Sequence, residues 1–153
     1  MWTSGYVSEV DYTHGFYDQL TPNIQNFCAL IKGYHSPLLS SEYKYLELGF
    51  GQGLALNIHA ATNPGSYWGN DFNPGHVSNA MDLATASEAD LTALDDSFEE
   101  LAARSDLPNF DVVCLHGVWT WISDSNREVI IDILRRKLKP GGLCYISYNS
   151  LPG

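Results

Sequence analysis

Four residues at alternate positions, Glu47, Gly49, Gly51 and Gly53, carry the clearest chemical signal in the chain. They close an apolar run, Tyr43 to Leu48, that reads as a buried strand. They precede Leu54-Ala55-Leu56-Asn57-Ile58, which reads as a helix start. A strand, a glycine turn and a helix bring bare backbone against a nucleotide-like ligand. Glycine suits such a turn because it tolerates positive φ and has no Cβ to hold a ligand away.

Two ligand classes compete for this loop. Dinucleotide loops follow GxGxxG or GxGxxA, with an acidic residue about 20 positions further on. Here the pattern is GxGxG, Leu54 stands where the last small residue would be, and Glu47 precedes the first glycine. The run E-x-G-x-G-x-G resembles the first motif of class I S-adenosylmethionine-dependent methyltransferases, and that reading is preferred to a nicotinamide enzyme. S-adenosyl-L-methionine is then the expected cofactor.

Further candidates fall at the ends of later strands. Asp71 can accept both ribose hydroxyls in charge-assisted hydrogen bonds. Alone, an Asp before Phe72-Asn73-Pro74 could simply cap the next helix; Phe72 joins the cofactor site in the same turn. Asp96, preferred to Asp95, offers a carboxylate to an exocyclic amine, with Ser97 as a capping hydroxyl and Phe98 as a ring against the base. Capping alone would also explain Ser97.

Leu115-His116-Gly117-Val118-Trp119-Thr120-Trp121 should face the methyl donor, and indole faces are good partners for a cation. Trp119 is the expected substrate residue, whereas Trp121 reads as a core plug. His116 belongs to the cofactor site, more as a hydrogen-bonded structural residue than as a base. Tyr148 and Asn149 form a polar, aromatic strand end suited to a substrate rim. Tyr12 and Tyr17 could fold over the cofactor or merely pack under a loop. No catalytic acid or base is dictated, and no metal is expected.

The elements that must position these residues alternate. Residues 1–20 form an arm, and Thr21-Pro22 opens a helix with apolar Ile24, Phe27, Cys28 and Ile31. Strands are expected at 43–48, 67–71, 90–94, 111–116 and 143–148, the last after a tight turn at Pro140-Gly141-Gly142. Helices start near Leu54, Pro74, Phe98 and Ser125. This βα alternation implies a Rossmann-like, doubly wound, mostly parallel sheet in a single domain spanning 1–153.

H-G-V-W-T-W-I after the fourth strand and S-Y-N-S-L-P-G after the fifth look like a bacterial methyltransferase group that usually carries a C-terminal methyltransferase regulatory domain. The group includes protein lysine methyltransferases acting on outer-membrane proteins of intracellular bacteria. The similarity runs from about Thr21-Pro22 to Gly153. It implies a seven-stranded class I sheet, with Gly49, Gly51, Gly53 and Asp71 holding the cofactor and Asp96-Ser97-Phe98 flanking its adenine. The last two strands of such a sheet have no counterpart here, so the chain is expected to be truncated. Its fifth strand would present an edge to a second copy.

Bulk properties bound the partners. A net charge of −10 and a pI near 4.6, without a Lys/Arg cluster, argue against nucleic acid. The same field would draw a basic protein, although acidity serves solubility equally well. Three dispersed cysteines, Cys28, Cys114 and Cys144, read as buried thiols in a reducing compartment. Neither a signal peptide nor a membrane span is visible, so a cytoplasmic location is expected. The expected activity is methyl transfer, with protein lysine as favoured acceptor and a small molecule next. A cofactor-binding module without catalysis is the alternative from another class.

Overall fold

The computed structural model describes residues 14–150. Five strands, β1 (Lys44–Leu48), β2 (Ser66–Asn70), β3 (Leu91–Leu94), β4 (Phe110–Leu115) and β5 (Leu138–Ile146), form one parallel sheet in the order β3-β2-β1-β4-β5. Five helices, α1 (Pro22–Ile31), α2 (Leu54–Thr62), α3 (Pro74–Ser87), α4 (Phe98–Ala103) and α5 (Asp124–Lys137), complete the Rossmann-like architecture. The chain builds outward from β1 to β3, then returns to place β4 on the other side of β1. That reversal leaves a crevice at the carboxyl ends of β1 and β4.

Strand alternation divides the core between the two faces of the sheet. Tyr45, Tyr67, Leu91, Val112 and Cys114 pack on one face with Leu56 of α2 and with Ala80 and Ala84 of α3. Leu46, Leu48, Phe110, Val113 and Leu115 point to the other, against Leu101 of α4 and Ile130 and Ile133 of α5. Each fully buried aliphatic side chain contributes on the order of 1.5–3 kcal/mol, so these two faces hold the sheet rigid beneath the crevice.

Local sequence explains the helix starts. Ser97 and Glu100 form a reciprocal capping box at α4, and the Asn73 side chain accepts from Gly75 N–H ahead of Pro74 at α3. Ser123 caps α5, whose last turn carries Arg135, Arg136 and Lys137 at the negative end of its dipole.

Four expectations need correction. Pro140-Gly141-Gly142 is not a turn ahead of β5 but a bulge inside it: Phe110 pairs with Leu138, and Val112 already pairs with Leu143. Gly142 presses so close to β4 that a Cβ there would lie 2.8 Å from the Asp111 carbonyl. The apolar stripe of α1 is not buried, since Phe27 and Ile31 are each 62% exposed. The face of α1 that meets the sheet carries Gln25 instead, which donates to the Cys114 sulfur at 3.0 Å. Of the three cysteines only Cys114 is buried; Cys28 and Cys144 are exposed along the groove between α1 and β5. Trp121, the expected core plug, is 54% exposed, while Trp119 packs on the α5 side of the core.

Among the described residues no helix is long and apolar enough to cross a membrane, and no cluster of His, Cys, Asp and Glu is arranged for a metal. Tyr12 lies outside the described residues.

Candidate cofactor cleft

The crevice at the switch point is lined by the whole glycine loop, from Glu47 through Gly49, Phe50, Gly51, Gln52 and Gly53 to Leu54. All three glycines have positive φ: 70° at Gly49, 61° at Gly51 and 76° at Gly53. Two of them are also forced by neighbours. A Cβ on Gly49 would sit 2.5 Å from Val118 Cγ2, and one on Gly53 would sit 2.6 Å from Ala80 Cβ. Glycine here lets helix α3 and the turn after β4 close on the loop, as well as leaving the backbone bare.

The loop is braced from β2 and α3. Gly49 N–H donates to the Asn70 carbonyl at 2.7 Å, and Gly51 N–H donates to Asp71 Oδ2 at 2.9 Å. Two asparagines tie the loop to α3: Asn57 Nδ2 donates to the carbonyls of Gly53 and Ala80, and Asn79 Nδ2 donates to the Gln52 carbonyl. Sequence reading missed both. Asn57 carries a signal in retrospect, because an asparagine among Ala55, Leu56 and Ile58 at a helix start is out of place without a backbone partner.

Asp71 is buried and bonded through both of its oxygens. Besides Gly51 N–H it accepts from Asn73 N–H at 3.0 Å, and its Oδ1 lies 3.1 Å from His76 Nδ1. The residue that caps α3 is Asn73, so the plain helix-cap explanation of Asp71 does not hold. Burial raises the Asp71 pKa, and the bonds from Asn73, His76 and Gly51 pull it back.

Glu47 is the opposite case. It is 4% exposed, it lines the cleft, and its Oε2 has no hydrogen-bond partner. Burial first, then the Asp71 charge, pushes its carboxyl up to about 8.

Across the cleft, His116 stands just past β4, and its ring lies 4.5 Å from that of Tyr17, which brings the segment before α1 over the opening together with Gly15. His116 Nδ1 lies 3.4 Å from the Tyr145 hydroxyl, and burial lowers its pKa below the usual range. A neutral imidazole at this position can accept a hydrogen bond.

The remaining predicted site residues are placed less simply. Asp96, Ser97 and Phe98 stand at the end of β3, joined to β2 by Asn70 Nδ2 donating to the Asp96 carbonyl. The Asp96 carboxylate pairs with Arg104 at 3.0 Å, and Ser97 is engaged in its capping box. The Phe98 ring, expected against a base, is 3% exposed and turned into the core. Phe72 follows Asp71 at intermediate burial. Trp119 is not among the residues lining the cleft: its indole packs on the core, with the Arg127 guanidinium 5.9 Å from the ring centroid. Tyr148 is 67% exposed, and Asn149 N–H donates to Thr120 Oγ1 at 2.8 Å. That bond ties the end of β5 to the turn after β4.

Comparison with known proteins bears on this geometry. The profile of a methyltransferase domain matches residues 46–142, from β1 to the β5 bulge. The "Uncharacterized protein sll1526" of Synechocystis sp. is 44% identical over 99% of this chain, which spans only 30% of that protein's length. The structure of PKMT2 from Rickettsia typhi in complex with AdoHcy superposes with a TM-score of 0.82 at 24% identity, covering 93% of this chain and 27% of that one. A SAM-dependent methyltransferase from Geobacter sulfurreducens in complex with S-adenosyl-L-homocysteine gives a TM-score of 0.58 at 21% identity, covering 86% and 49%. At these identities the two structures share a fold with this chain.

Proposed function

This chain belongs to the methyltransferase domain family, and from that premise we propose that its cleft takes S-adenosyl-L-methionine and that the chain transfers the methyl group to a lysine of a basic protein. The observation that carries the cofactor reading is Glu47 at the head of the glycine loop. A buried carboxylate with one oxygen left without a partner, on a residue that lines a cleft beside Gly49, Gly51 and Gly53, is suited to a cationic group beside close-lying backbone. A nicotinamide dinucleotide has no ammonium group to offer that carboxylate.

The residues present fit such a cofactor. Glu47 would take the cationic amino-acid end, the glycine loop the middle, Asp71 and Phe72 the ribose side, and Asp96, Ser97 and Phe98 the adenine end, where Asp96 and Ser97 serve through backbone and Phe98 by shaping the wall from behind. When bound, the cofactor supplies an activated methyl group. The chain supplies alignment, and positioning alone can contribute on the order of 7–11 kcal/mol. Tyr17 and His116 cover the opening and exclude water, and neutral His116 can accept a proton from an acceptor amine. The substrate reading of Trp119, Tyr148 and Asn149 keeps Tyr148 as its exposed element, with Trp119 supporting the turn from below.

Support for a protein lysine comes from the PKMT2 likeness in fold and from the net charge of −10, which draws ammonium-bearing partners. A cytoplasmic location and self-association through the β5 edge belong to the same reading. Calorimetric titration with S-adenosylhomocysteine tests the cofactor; saturation by NAD instead would overturn it. Transfer of a labelled methyl group to basic proteins, with small amines in parallel, tests the acceptor. Binding without transfer to either class would leave a cofactor-binding module.

A further inference from the structure

Glu47 and Asp71 flank the same loop, yet only one of them has its charge compensated. Asp71 has two backbone N–H donors and His76, whereas Glu47 Oε2 has no partner. The other titratable groups around Glu47 give no cation. Tyr45 lies on its own strand, Cys114 on the neighbouring β4, Asp71 past β2, and Tyr17 and His116 line the far side of the cleft. Among the described residues, no lysine or arginine lines the cleft. An ionised Glu47 would therefore be a buried, uncompensated charge beside another carboxylate.

Resting on the cofactor reading above, we propose that Glu47 is a proton-linked receptor: it holds a proton in the empty cleft and releases it to solvent as the ammonium group of the cofactor's amino-acid portion docks against it. The exchange balances as one proton out for one cation in. Burial and the Asp71 charge keep the empty-state carboxyl protonated at neutral pH, with its pKa near 8. Tyr45 and Cys114 are pushed upward by burial and stay neutral throughout, and His116, pushed downward, is already deprotonated at pH 7. The linkage sign follows. Below the empty-state value, ionising Glu47 opposes binding, so affinity for the cofactor rises as pH rises and levels off once the carboxyl is ionised without help.

Isothermal titration of the protein with S-adenosylhomocysteine at pH 7, in phosphate and in Tris, counts the protons exchanged. Close to one proton released per ligand is expected, with the dissociation constant falling by up to about tenfold per pH unit between pH 6 and 7. Glu47→Gln, which mimics the protonated side chain in size and charge, should bind with no net release and a flat profile. 5′-Methylthioadenosine, which lacks the amino-acid portion, should bind the wild-type protein without release. Tight binding of S-adenosylhomocysteine with no proton released overturns the linkage while leaving the cofactor assignment standing. Equal release by Glu47→Gln moves the proton elsewhere, and equal release with 5′-methylthioadenosine removes the ammonium from the account; either overturns it. No binding at all removes the cofactor assignment and this inference together.

Discussion

Replacing Asp71 by alanine tests whether the cleft is held open by a side chain or merely by backbone conformation. The carboxylate accepts from Gly51 N–H at 2.9 Å and from Asn73 N–H at 3.0 Å, both in a region where Asp71 itself is 5% exposed. Removing it leaves two donors short of an acceptor, at about 1–3 kcal/mol each. Water entering the space left by the carboxylate recovers part, so a net loss of about 3 kcal/mol is expected. For a chain of this size that corresponds to a fall in Tm of about 6–12 °C. Affinity for S-adenosylhomocysteine should fall as well, by about 1.5–3 kcal/mol or roughly 10- to 150-fold, since the loop loses its brace and the ribose its charged acceptor. Asn73→Ala is the control: it removes the α3 cap at a cost of about 1 kcal/mol and leaves the Gly51 bond intact, so binding should persist. Thermal unfolding by circular dichroism and calorimetric titration read the two effects separately. An Asp71→Ala protein melting within about 2 °C of wild type would refute the brace. A melting point lowered as expected with an unchanged dissociation constant would leave the brace and remove the ribose role.

Gly53→Ala should lose roughly 2–4 kcal/mol in urea unfolding, combining a left-handed φ of 76° with a Cβ placed 2.6 Å from that of Ala80. Adding Ala80→Gly should recover the contact part alone, and a loss below about 0.5 kcal/mol for the single change would contradict the packing at the start of α2. His59 is buried with its Nε2 unpartnered, and burial lowers its pKa to about 4. The unfolded chain takes up a proton near pH 6.5 that the folded chain resists. Stability from this site is therefore full above pH 6.5 and lost as pH falls toward 4, by roughly 2 kcal/mol at pH 5. Urea unfolding of His59→Phe at pH 5 and pH 7 should show that loss abolished. Comparison with wild type at each pH cancels Glu47, whose raised value acts with the opposite sign, stabilising below pH 4.5 and fading as pH rises through about 8.

What was legible in the sequence was periodic or punctuated. The strands expected at 43–48, 67–71, 90–94 and 111–116 lie within one residue of β1 to β4 at each end, because each is a short run bounded by turn signals. Their parallel order follows from the helices between them, and the glycine spacing placed the cleft. What stayed hidden depends on contacts made across the fold. Asn73, not Asp71, caps α3, because only the geometry decides which of two polar residues, one on either side of Phe72, meets the free N–H groups. The stripe on α1 looks like a buried face to any periodicity argument, yet Gln25 is the residue turned inward, since Cys114 offers it a soft acceptor. Pro140-Gly141-Gly142 is a bulge rather than a turn, and beside it Lys139 reaches across to the Asp111 carboxylate, a long-range contact that no local turn signal announces. Trp119 packs on the core, where Arg127 donates to its carbonyl and lies over its ring, while Trp121, expected in the core, is exposed.

The two carboxylates beside the glycine loop show why a motif's letters do not determine its chemistry. Glu47 and Asp71 are both buried, and burial first, then the Asp71 charge, raises the tendency of Glu47 to hold a proton, so the pair favours a single negative charge. Which of them carries it is decided by donors. Asp71 meets the N–H groups of Gly51 and Asn73 and the ring of His76, so the charge settles there and is used structurally, to hold the loop's conformation. Glu47, which lines the cleft, is left with the proton and with an oxygen that has no partner. The residue that braces the loop therefore adds to the burial that sets the state of Glu47, the residue proposed to meet the ligand. A cation entering the cleft brings the compensation that β1 lacks, and the second charge forms only when there is something to pair with it.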